Sequence, residues 1–137
     1  MSNADEIRWQ QRFENFTKAL GQLEAACQKG EYSDLERAGL VQMFEFTFEL
    51  GWKTLKDLQF YEGFTDNTPR EVIRRAFQVD YLTEADTELW LDALVKRNIL
   101  SHTYNENTAR EAERLIVGLY HPMLRRLFDV LEKKRKR

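Results

Sequence analysis

The chain is poor in the residues that interrupt helices and in those that hold metals or disulfides. Its 137 residues include two prolines, six glycines, one cysteine and two histidines. A lone cysteine, Cys27, excludes an internal disulfide, and its place on a helical apolar stripe marks it as a small core residue rather than a nucleophile. Two separated histidines without clustered carboxylates are too few ligands for a metal centre, so no metal and no cofactor is expected. There is no glycine-rich phosphate loop, which excludes the usual ways of binding a nucleoside triphosphate. No apolar run nears the roughly 20 residues that span a bilayer. The N-terminus has no apolar signal core, so no membrane association and a cytoplasmic location are expected. Sustained β-alternation is missing too, leaving helices as the only regular structure the pattern supports.

What is present is a globular composition, 42% hydrophobic and 32% charged, of a length that fits one domain over residues 1–137. The formal charge is −2, unevenly spread, because residues 133–137 are all basic. Setting those five aside leaves 16 basic residues against 23 acidic ones, a body at −7. Such a body argues against a broad nucleic-acid surface. The tail itself has two readings: a grip for RNA or an acidic partner, or a solvated helix end whose cations suit the C-terminal dipole.

Apolar spacing predicts four long helices and one short one. Phe13, Phe16, Leu20, Leu23 and Cys27 form the stripe of the first, over about 5–29. Ser33-Asp34-Leu35-Glu36 is a capping box opening a second, which runs to about Tyr61. Val41, Phe44, Phe48, Gly51, Leu55 and Leu58 make its core seam, with Trp52 widening the stripe. Phe46 and Leu50 add apolar area on another side, so this helix needs two partners, one of them a second copy of the chain. Thr68 caps a short helix with Pro69 at its first position, carrying Val72, Ile73, Ala76 and Phe77. Thr83 caps the next, with Leu89, Trp90, Leu91, Leu94, Val95 and Leu100. Asn107 or Thr108 begins the last, where Thr108 to Glu111 reads as another capping box. Its apolar face is Leu115, Ile116, Leu119, Met123, Leu127, Val130 and Leu131, and Pro122 should kink it or loosen its hydrogen bonding. His121, beside that proline, reads as structural. The sum is an all-α, up-and-down four-helix bundle with a short extra helix.

Chemistry concentrates in Arg97-Asn98-Ile99-Leu100-Ser101-His102-Thr103-Tyr104. Arginine offers a fixed cationic fork and histidine moves a proton near neutral pH, a combination suited to phosphate chemistry. On a regular helix Arg97 and His102 stand about 140° apart, whereas Asn98 and His102 share a face. Either the helix ends near Ser101, or two chains complete the site. Metal-free RNA cleavage then fits: His102 takes the 2′-hydroxyl proton and Arg97 stabilises the phosphorane charge. The competing reading pairs Arg97 with a nearby carboxylate and leaves His102 and Tyr104 to finish a helix end. Glu45 and Glu49, one turn apart, read either as a catalytic carboxylate pair or as ion-pairing groups, such as Glu49 with Lys53.

Three blocks in order resemble the HEPN superfamily of small helical proteins. The run from Arg97 to Tyr104 is similar to the Arg-x4-His-x-Tyr motif of its HepT-like branch. Phe46 to Asp57 and Pro69 to Phe77 resemble two further blocks of the bacterial nucleotidyltransferase substrate-binding protein family within that branch. The resemblance implies a HEPN-like, homodimeric bundle and a minimal nucleotidyltransferase encoded nearby as partner. It implies Arg97 and His102 as catalytic, Asn98 as supporting and Tyr104 as modification acceptor. The first reading is thus a metal-independent ribonuclease toxin of a type VII-like toxin–antitoxin pair, neutralised by AMP transfer to Tyr104. The alternative is a non-catalytic substrate-binding subunit of a two-component nucleotidyltransferase.

Overall fold

The computed structural model describes residues 3–100 and 105–137, and all regular structure among them is helical. Helix α1 spans Asn3–Ala26, α2 Asp34–Tyr61, α3 Pro69–Gln78 and α4 Glu84–Leu100. The final rod consists of α5 (Glu106–Leu115), a π-helical segment (Ile116–Tyr120) and α6 (His121–Arg135). Short connections force α1 and α2 into an antiparallel hairpin against which the final rod packs, while α3 bridges α2 and α4, and α4 lies along the final rod and reaches α2 through the Trp90 side chain. One connected core joins Phe13 and Phe16 of α1, Phe44 and Phe48 of α2, Trp90 of α4 and Tyr120 of the π segment.

The helix starts follow their caps. Both halves of the Ser33/Glu36 box form: the Glu36 amide donates to Ser33 Oγ at 3.2 Å, and the Ser33 amide donates to Glu36 Oε1 at 2.8 Å. The Lys29 ammonium, 2.8 Å from Glu36, and then the Ser33 amide hold that carboxyl at about 2. Thr68 and Glu71 repeat the box ahead of Pro69, and Thr83 Oγ1 accepts from the Asp86 amide at the head of α4.

The last rod differs from its expected reading in two ways. The cap is Asn105, whose Oδ1 accepts from the amides of Asn107 and Thr108 at 2.9 and 3.3 Å. Thr108 therefore sits inside the first turn, and Glu111 turns instead to Arg114. A side-chain carbonyl available upstream starts the helix before the Thr108 box can compete.

The second difference concerns Pro122, which has no amide to donate and would clash with the carbonyl four residues back. The rod widens into a π turn just before it, with the His121 amide donating five residues back to Ile116. That extra residue is taken up within the π segment itself. Leu119, expected in the core, is exposed, and Tyr120 is buried in its place. From Tyr120 the buried positions run on through Met123, Leu124, Leu127 and Leu131. Phe77 and Val95, also expected on apolar faces, are exposed.

Cys27 is half-buried against the core, and burial followed by the nearby Glu24 carboxylate pushes its thiol up to about 11. His121 bonds Glu24 through Nε2 at 3.0 Å, and Arg125 reaches the other oxygen of that carboxylate. Three of the five tail cations are paired among the described residues, two of them on one carboxylate. Lys134 pairs with Glu62, and Arg135 and Lys136 both pair with Glu132.

Candidate functional site

Three contacts fix where α4 lies. Trp90 is wholly buried with its ring 5.0 Å from that of Phe48. It also lies over Gly51, where a Cβ would stand 2.9 Å from Trp90 Cη2. Tyr120, whose ring stacks on Phe44, donates its hydroxyl to Asp92 Oδ2 at 2.6 Å. Burial and that bond raise the phenol well above its usual range. At the head of α4, Arg126 bonds both oxygens of the buried Asp86.

Held this way, α4 turns Arg97 toward α2. Trp90 lies seven residues before Arg97 and Ala93 four, and both are buried, so Arg97 continues their face. Its Nη1 lies 3.1 Å from Glu49 Oε2. Lys53 approaches the other Glu49 oxygen at 3.5 Å. One carboxylate is thus shared by two cations, at a place where the Arg97 and Glu49 side chains remain 30% and 40% exposed.

The surface here is an open depression of about 650 Å³ lined by Gln42, Glu45, Phe46, Glu49, Arg97 and Asn98. Phe46 is 62% exposed on its rim. The side of α2 expected to meet a second copy therefore stays open in the single chain, while Leu50 packs partly against the core.

Arg97 and Asn98 are brought to the same depression as Glu45 and Glu49. His102 and Tyr104 lie outside the described residues, so the Arg97–His102 relation does too. Of the two readings of Glu49, the ion pair is the one formed, and the competing reading of Arg97 supplies its partner. That Arg97 and Glu49 find each other was missed by sequence reasoning, because 48 positions separate them. The only local signal is the helical phase that places Arg97 under Trp90. Among the described residues no three His, Cys, Asp or Glu side chains gather as a metal site would need. No described helix is long and apolar enough to cross a membrane.

Residues 11–133 match the family model described as nucleotidyltransferase substrate binding protein like. The chain belongs to that family. A crystal structure of a protein from Thermus thermophilus is similar, with 33% identity and a TM-score of 0.75. The match covers 89% of this chain and 99% of the other. No curated protein matches the sequence. The family's matched span takes in α2, α4 and the α2/α4 depression between them.

Proposed function

We propose that this family member is the substrate-binding, non-catalytic subunit of a two-component nucleotidyltransferase, with the α2/α4 depression as its working face. The observation that carries this reading is the state of Arg97. Its guanidinium already faces Glu49, and a second carboxylate, Glu45, lines the same depression. A polyanion entering there meets an arginine whose charge is already shared with the Glu49 carboxylate. A polar substrate with hydroxyl or amino groups meets acceptors it can bond. The partner would be a minimal nucleotidyltransferase, which brings the nucleotide and the metal chemistry.

A second reading keeps the ribonuclease toxin. A half-exposed ion pair such as Arg97–Glu49 contributes about 0–1 kcal/mol, so a phosphate can displace Glu49. Arg97 would then stabilise a cleaving phosphodiester, with His102 as base and Asn98 as support. Neutralisation would follow when the Tyr104 phenol oxygen attacks the α-phosphorus of a nucleoside triphosphate on the partner. That step forms Tyr104–O–AMP, breaks the α–β phosphoanhydride bond, releases pyrophosphate and gives the phenol proton to solvent or a partner base.

The open outer face of α2 supports a homodimer in either reading. Leu35 and Phe46 stand exposed on that face, large apolar side chains of the kind a second copy would cover.

The deciding experiment incubates purified chain with RNA beside Arg97→Ala and His102→Ala. The substrate-binding reading expects intact RNA in all three and stable association with a co-expressed nucleotidyltransferase. RNA cleavage by the wild type that both variants lose would overturn it in favour of the toxin. Intact mass after co-expression tests Tyr104, since an added AMP increases the mass and Tyr104→Phe abolishes the increase.

A further inference from the structure

We infer that a bowl at the α1/α2 edge, sharing no lining residue with the α2/α4 depression, binds a mononucleotide by its phosphates and its base. It has a volume of about 460 Å³, inside the range of ordinary ligand pockets. Two facing helix stripes build its walls. Arg8 and Arg12 stand one turn apart on α1, and Lys56 and Phe60 stand one turn apart on α2. Thr65, Asp66 and Asn67, from the turn before α3, close the end.

The charges decide what fits. Both acidic residues of the lining are already paired: Asp57 with Arg12 at 3.0 Å, and Asp66 with Arg75 at 2.8 Å. Arg8 and Lys56 form no ion pair among the described residues. The bowl therefore offers two uncommitted cations in a body that is otherwise acidic. An arginine fork with a lysine point charge grips a phosphate chain.

Phe60 adds the second element of recognition. It is 50% exposed, an uncovered aromatic face of the kind on which bases stack. Thr65 and Asn67 supply hydrogen-bonding groups beside it. The wall behind them is preformed, because Arg75 bonds Asp66 and also lies 4.5 Å over the Phe64 ring. Two cations and one ring make a footprint for a single nucleotide rather than for a strand, which needs a continuous basic track.

This inference goes beyond the substrate-binding reading, because it adds a nucleotide site apart from the α2/α4 depression. The test uses the full chain alone, so loss of the nucleotidyltransferase partnership leaves it untouched. Calorimetric titration at low salt compares ATP, inorganic tripolyphosphate and adenosine. ATP should bind saturably, tripolyphosphate more weakly and adenosine weakest.

The double variant Arg8→Ala/Lys56→Ala should weaken ATP and tripolyphosphate by about tenfold or more. Phe60→Ala should weaken ATP about fivefold and leave tripolyphosphate unchanged. Lys18→Ala, which removes an exposed cation elsewhere on α1, should change neither. Unaltered melting curves would show that the substituted surface positions leave the fold intact. The inference is overturned if ATP does not saturate at millimolar concentration, or if the double variant binds it like the wild type. Equal affinity for tripolyphosphate and ATP, unaffected by Phe60→Ala, would also overturn it, marking a site for phosphate alone.

Discussion

Gly51 is where the position of α4 is set, and Gly51→Ala measures how tightly. An added Cβ would stand 2.9 Å from Trp90 Cη2 and 3.2 Å from Phe16 Cε1. Carbon atoms rest at about 3.5–4.0 Å, so one neighbour must give by well over half an ångström. Trp90 and Phe16 are both fully buried, so each can yield only against its packed neighbours. Two close contacts at once place the overpacking cost in the upper part of its usual range, about 2–3 kcal/mol. Alanine returns up to about 1 kcal/mol in helix propensity, leaving a net loss of about 1–2 kcal/mol. For a chain of this size that lowers Tm by roughly 3–8 °C.

Gly21→Ala is the matched control. Gly21 is an exposed position of α1 with nothing within 4 Å of the added Cβ. There only the propensity gain remains, and Tm should rise by about 2–4 °C. Thermal and urea melts followed by far-ultraviolet circular dichroism read both. The opposite signs are the test. If Gly51→Ala melts at or above the wild-type temperature, Gly51 does not set the approach of α4. The loss should also reach the site, because a displaced Trp90 carries Arg97 away from Glu49.

Three further outcomes are expected. Arg126→Ala leaves the Asp86 side chain, 9% exposed, without its bidentate partner, and should cost about 2–3 kcal/mol in urea unfolding; Asp86→Asn in the same chain should recover part of it. Asn105→Ala should cost about 1 kcal/mol and Thr108→Ala much less, which separates the observed cap from the Thr108 box by equilibrium unfolding. The Glu36 carboxyl, held at about 2 by Lys29 and Ser33, lies below its unfolded value, so its contribution is complete above about pH 4.5 and is lost as pH falls toward 2. Lys29→Met should raise the Glu36 midpoint in an NMR titration and flatten that part of the acid melt.

Much of this architecture is legible in the chain because its signals are local. Ser33/Glu36 and Thr68/Glu71 satisfy amides within one turn, so the residues that form each cap are also the residues that announce it. The seam from Phe44 through Phe48, Gly51 and Leu55 is buried as its spacing requires. The last rod is different. Pro122 announces a disturbance, but periodicity alone does not say whether the helix bends or takes up an extra residue. The π turn takes up the residue within the segment itself: Leu115, Ile116, Met123, Leu127 and Leu131 are buried as expected, and only Leu119 gives its place to Tyr120.

The same distinction runs through the candidate site. That Arg97 faces the bundle follows from its seven-residue separation from Trp90. Its partner does not follow, because α2 offers Glu45 and Glu49 one turn apart and the choice depends on how far α4 slides along α2. Trp90 settles that slide by lying over Gly51, a contact between two residues that carry no chemistry. The charge state of the corner is thus decided by packing: a slide of one turn, about 5.4 Å, would bring Arg97 level with a different position of α2. Glu49 would then keep only Lys53, and Arg97 would face Glu45 or Lys53 according to the direction of the slide.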